Sequence, residues 1–90
     1  MEYTEEQHKR ALAYVLKALR RKTGVTQEEV AASSGVNRQH LARLETKQHI
    51  VRLDTLMKLS AYYKMTTGEM VQLIKRRLEF YYKRDQKKQH

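Results

Sequence analysis

Between Arg38 and Arg43 the chain reads RQHLAR. Its polar members Arg38, Gln39, His40 and Arg43 are long donors and acceptors with no acid among them. Such side chains suit the base edges of a DNA major groove. Arginine donates bidentately to guanine, and glutamine matches the paired acceptor and donor of adenine. Ala42, lying among them, suits a thymine methyl group. A few residues on, Lys47, Gln48 and His49 carry donors that can hold phosphates, and Arg52 adds another. Base contacts specify a sequence and phosphate contacts position the protein, so the two groups have separable roles.

For this chemistry Arg38 to Arg43 must lie on the outer face of a helix, since an α-helix fits the major groove. Leu41 and Leu44 provide the inner face at i, i+3 spacing, and Asn37 suits the N-cap. The helix before it starts at Thr26, with Glu29 three places on in the pattern of a capping box, and buries Val30 and Ala31. Between the two stand Gly35, which takes positive φ at no steric cost, and Val36, which plugs the turn. Ser33 and Ser34 have no base beside them in the sequence and read as helix-end polarity. Two short helices around a glycine corner, the second polar and basic outside, imply a helix-turn-helix reader of DNA.

This stretch resembles the phage-repressor-like helix-turn-helix family, the lambda-repressor and Cro group also called the XRE family. The resemblance runs through Leu16-Lys-Ala-Leu-Arg20, Gly24-Val-Thr-Gln27, Val30-Ala31, Gly35-Val36, Leu41 and Leu44-Glu45. It continues in Leu53-Asp-Thr-Leu56 and Leu59, so that it covers roughly residues 12–75. It implies an all-α, five-helix lambda-repressor-like DNA-binding domain, here with an extended C-terminal helix. Arg38, Gln39 and Arg43 hold the places by which relatives touch base edges, with His40 a weaker member of that set. Gln27 resembles the family's phosphate-contacting glutamine. The resemblance also pairs Arg20 with Glu45, pinning the first helix to the third. Relatives often form a two-fold dimer through the last helix, which assigns Leu73, Ile74, Leu78 and Tyr81 to a dimer interface. The sequence departs from the family after the third helix, where Thr46-Lys47 replaces the usual glycine. The proline and serine that often precede helix four are missing too, which leaves the path of residues 46–52 open.

The other elements frame this unit. Thr4 to Gln7 forms a capping box, and Leu12, Val15, Leu16 and Leu19 mark the inner face of a first helix ending near Lys22, before Gly24. Its first part, Tyr3 to Arg10, is expected to project beyond the core. Leu53, Leu56, Met57 and Leu59, with Ser60 and Tyr63, define a fourth helix over about 53–63. Thr66 to Glu69 caps a fifth that runs to about Lys83. Its apolar positions exceed one inward stripe and ask for a partner, or else bury against the domain itself. We divide the chain into a helix-turn-helix domain at 1–78 and a basic helix end and tail at 79–90. The tail is either frayed or a non-specific phosphate arm.

Composition agrees with this architecture. Ninety residues make one domain with a thin core, because a chain of this size buries only about 60–65% of its unfolded surface. There is no proline, and the net charge of +9 points to a polyanion as partner. The absence of cysteine excludes disulfides and thiolate zinc sites. His8, His40, His49 and His90 lack metal-ligand spacing, no phosphate-cradling glycine loop occurs, and neither a cofactor nor an enzymatic activity is expected. The longest apolar run, Ala11 to Leu16, is too short to span a bilayer, and no signal peptide is visible, so a cytoplasmic site of action is expected. Taken with the resemblance, these features imply a transcriptional regulator, a repressor before an activator, acting as a homodimer on a palindromic operator. An antitoxin with a toxin partner, or a protein-interaction module, is the alternative. A third reading lays the C-terminal stretch non-specifically on a membrane or nucleic acid.

Overall fold

The computed structural model describes residues 2–88, and within them every regular element is helical. The order is α1 (Glu5–Thr23), α2 (Gln27–Ser34), α3 (Arg38–Glu45), α4 (Leu53–Tyr62) and α5 (Thr67–Lys87). The N-termini follow the cap chemistry of the sequence. Thr4 and Gln7 exchange both bonds of a capping box, as do Thr66 and Glu69. At α2 only half of the expected box forms: the Thr26 hydroxyl accepts from the Glu29 amide at 3.1 Å, without a bond returned by the Glu29 carboxylate. Asn37 caps α3, accepting from the His40 amide at 3.1 Å.

Four helices end in left-handed corners, that of α2 at Gly35 and three others with paired bonds. At α1 the corner is Gly24 (φ 72°), with Val25 N–H bonded to Arg20 O and Gly24 N–H to Arg21 O, the Schellman pattern. At α3 and α4 the same paired bonds form around Lys47 (φ 65°) and Lys64 (φ 57°). A β-carbon is strained in this region, so these two lysines adopt it because the bonds around them and the packing on either side leave no other path.

One core joins α1 to the helix-turn-helix unit through Leu12, Leu16, Val30, Val36, Leu41, Leu44 and Leu59. A second cluster, Val15, Leu56 and Met70, packs α4 and α5 beneath it, and Val51, Tyr63 and Ile74 touch both. Helix α4 departs from expectation, because its inner face is Leu56, Leu59 and Ser60 while Leu53 and Met57 are 68% and 53% exposed. Leu53 lies in the first turn, outside the edge of the core, and Met57 is one step round the helix from Leu56.

The longest departure is at the chain ends. Helix α5 passes residue 78 unbroken, extends four residues beyond the expected end at Lys83, and lies antiparallel along α1. Tyr3 to Arg10 therefore does not project free. The Gln7 amide donates to Asp85 at 3.0 Å, and Arg10 pairs with the same carboxylate at 3.2 Å. Tyr3 meets Tyr82 edge to face at 5.8 Å, and Arg10 sits 4.2 Å above the Tyr81 ring. Gln7 stabilises the Asp85 carboxylate by hydrogen bonding and holds its pKa below the usual value, with the Arg10 charge assisting. Residues 84–88 are thus the end of a docked helix and not a frayed tail. The rest of that expected tail, residues 89 and 90, lies outside the described residues.

The strain at Lys64 is testable away from the site. Lys64→Gly should raise unfolding free energy by about 0.5–1 kcal/mol, the relieved left-handed penalty less the extra chain entropy of glycine. Urea titration measures it, and a neutral or destabilising result would remove the strain argument.

Candidate nucleic-acid interface

The interface is built from α2, its corner and α3. Gly35 stands in the left-handed region (φ 80°, ψ 9°), and its N–H closes α2 on Ala31 O at 3.1 Å. The Val36 side chain is buried and its amide donates to the Ser34 hydroxyl at 3.2 Å, which gives that serine its structural role. From this corner α3 departs with Leu41, Leu44 and Glu45 buried. Arg38, Gln39 and Arg43 fall on the opposite face and are exposed, while His40 and Ala42 are half-buried at its margins.

Glu45 is the charge inside this arrangement. Its side chain is 2% exposed and accepts from Arg20 Nε at 3.0 and 3.2 Å and from Arg20 Nη2 at 3.0 Å. The Gln27 amide adds a further bond at 3.1 Å. The carboxylate raises the Arg20 pKa by accepting its hydrogen bonds, although burial acts the other way. Tyr63 nearby is pushed up to about 12 by burial and then by the Glu45 charge, so its hydroxyl stays protonated. Three helices thus converge on one carboxylate, and α3 cannot roll about its axis without breaking these bonds.

Gln27 lies where the sequence places it, at the start of α2, but its amide group is turned to Glu45. One N–H of the side-chain NH2 that a phosphate would need already donates inward. Lys47, Gln48 and His49 are exposed directly after α3, on a loop whose path the Lys47 corner sets. There Thr46 O–H donates to Ala42 O at 2.9 Å, and the Gln48 amide donates to the Thr46 hydroxyl at 2.8 Å. The His49 ring lies 6.1 Å from that of His40, centroid to centroid, so loop and helix present one continuous surface. Arg38 has a loose contact with Glu28 at 3.7 Å, with both side chains largely exposed. Such a pair contributes little and can exchange for a stronger anion.

The residues assigned to a dimer interface on α5 are partly accounted for within the chain. Leu78 is 6% exposed, so the chain itself leaves little of it for a second copy. Ile74 packs against both core clusters, and Tyr81 lies beneath Arg10. The physical reason is the length of α1, which covers the α5 face that a partner would otherwise take. Among the described residues no group of three or more His, Asp and Glu side chains is arranged to hold a metal, and no helix is long and apolar enough to cross a membrane.

Two short helices locked around Gly35, the second held by a buried ion pair and polar outside, define a helix-turn-helix DNA-binding domain. A helix-turn-helix family profile matches residues 16–70, and the chain belongs to this family, of the XRE type. It is accordingly a DNA-binding transcriptional regulator. The chain is also similar in structure to the clp gene regulator ClgR from Corynebacterium glutamicum, with a TM-score of 0.79. That match covers 91% of this chain and 87% of the other at 20% identity, so the likeness is one of fold. No curated protein sequence matches the chain.

Removing Arg20 would leave Glu45 charged and buried with only Gln27 as partner. Arg20→Ala should therefore destabilise the fold by about 3 kcal/mol. In the Arg20→Ala, Glu45→Gln double variant, much of that loss should return. Additive losses in chemical denaturation would show that the two side chains do not act as a pair.

Proposed function

We propose that α3 enters the major groove and reads bases through Arg38, Gln39 and Arg43, with His40 at the edge of the contact. Lys47, Gln48 and His49 clamp the phosphate backbone. Gln27, at the start of α2, contributes the second N–H of its side-chain amide to a phosphate while the first donates to Glu45. The observation that carries this reading is the orientation of α3: its three matched donors are exposed while the buried Glu45 fixes the roll of the helix. Pre-set side chains lose less freedom on binding, which favours discrimination between sequences. Repression is the reading we adopt, because occupying an operator blocks a promoter by bulk alone. The chain would then work where its DNA is, in the cytoplasm. A protein-docking module that does not read DNA has less support, since a docking surface has no need of that trio on α3.

We also propose that two copies bind a palindromic operator, with their α3 helices about one turn, ~34 Å, apart. Since α5 turns Leu78 and Ile74 inward, we place the pairing surface at Ile50, Leu53 and Met57. These apolar residues are 51%, 68% and 53% exposed and flank the end of α3. At their margin Arg52 and Asp54 lie 3.4 Å apart. A two-fold axis there can exchange this pair between copies while holding both reading helices on one side.

Arg43→Ala should weaken binding to the preferred site by about 1–3 kcal/mol and relax preference at one base pair. Lys47→Ala should weaken all sequences alike and flatten the salt dependence by about one unit. Site selection from random DNA supplies the operator, and equal losses on cognate and random duplexes for Arg43→Ala would take it out of the base-reading set. Leu53→Glu should sediment as a monomer and bind the two-half-site operator without cooperativity, yet keep its affinity for one half-site. An unchanged dimer would refute this pairing surface.

A further inference from the structure

A second surface remains open along α1 and α5. Between the two helices runs a half-open groove of about 430 Å³, floored by Val15, Ala18, Leu19 and Leu73. Ala18 is its small central residue. One end is aromatic, with Tyr14 and Phe80 45% and 50% exposed. Arg77 lies 3.5 Å above the Tyr14 ring and 4.7 Å from that of Phe80, so its guanidinium is held in place by stacking. Lys22 and Arg76 stand on the rim. None of these three cations forms an ion pair among the described residues, and no acid lines the groove. Glu69 on α5, in a neighbouring hollow with Leu73 and Arg76, accepts from the Thr66 amide in its capping box.

We propose that this groove docks an acidic amphipathic helix of a partner protein, its apolar side chains over Ala18 and Leu73 and its carboxylates against Lys22, Arg76 and Arg77. Charge selects the occupant. A second copy of this groove would bring three cations against the same three. DNA would satisfy the cations but leave the apolar floor wet. The dimensions agree, since Tyr14 to Lys22 on α1 spans about 12 Å, roughly two helical turns. That length accepts apolar residues at i, i+3 or i+4, and i+7, the spacing of helix-in-groove recognition. A half-open trough suits a helix better than a small molecule, which needs most of its surface enclosed.

The probe is a labelled amphipathic peptide of about 15 residues, with leucines at that spacing and glutamates on both flanks. Fluorescence anisotropy with the full chain should show saturable binding. A peptide of the same composition, scrambled to abolish the apolar face, should bind about tenfold more weakly or worse. Ala18→Glu and Arg76→Gln should each weaken the probe about tenfold, with amide shifts on titration gathered around Ala18, Leu73 and Phe80. Both positions are exposed, circular dichroism checks the fold, and half-site DNA affinity should stay within about twofold because neither residue belongs to the α3 surface. The proposal falls if the scrambled peptide binds as well, if neither substitution matters, or if the shifts appear on α3. It falls as well if Ala18→Glu dissociates a dimer of the protein, because the groove would then belong to a second copy.

Discussion

The constraint on which the rest depends is the burial of one negative charge. Glu45 lies at the inner end of α3 with almost no solvent contact, in a place where an unpaired carboxylate would be expensive. Arg20 from α1 answers it with three hydrogen-bond contacts, and Gln27 from α2 with a fourth. A leucine at residue 45 would fill the same space but would say little about rotation. The carboxylate accepts from fixed directions and so sets the angle of α3 about its own axis. Whether buried pairs in general stabilise a fold is uncertain in sign; here the geometry shows that this one specifies orientation.

That specification needs a rigid counterpart, which α1 supplies. It extends well past the residues that contact α3 and is backed along its length by α5. The two are tied near their outer ends by the Gln7 and Arg10 contacts with Asp85 and by the Tyr3 and Tyr82 rings. The thin core of a ninety-residue chain is thus lengthened by a two-helix layer in which polar side chains carry part of the packing. One consequence appears on α5, where the face available to a second copy is reduced because the chain's own first helix occupies it. Another is the trough left between the two helices, where alanine at residue 18 leaves a gap among larger neighbours.

The helix ends show how local chemistry and global packing divide the work. Threonine and asparagine caps start helices wherever the sequence places them, because a cap needs only backbone amides within three residues. Gly24 and Gly35 end helices for an equally local reason. The corners at Lys47 and Lys64 are different, since lysine has no preference for that backbone region and nothing in the neighbouring sequence announces it. There the conformation follows from α3 and α4 having to stop while the chain turns back onto the core through Val51 and Met65.

Periodicity and capping chemistry determined the number of helices, the bounds of α2, the glycine corner and the outward trio on α3, because each rests on residues at most four apart. Resemblance to a family supplied the Arg20–Glu45 pair, which spacing alone could not reveal. Tertiary structure decided what depends on distant neighbours. Asp85 finds Gln7 and Arg10 only after α5 folds back along α1, so the start of α1 and the end of α5, which looked free, are docked. Leu53 and Met57 look like core residues in sequence and are exposed, since no element reaches across their side of α4. Leu78, apolar on a long helix, reads equally as core or as a partner contact, and its 6% exposure is set by packing within the chain. Gln27 turns inward because a buried carboxylate from eighteen residues away needs its amide. Local codes set where helices begin, end and face; long-range burial and charge set which of their faces stay open.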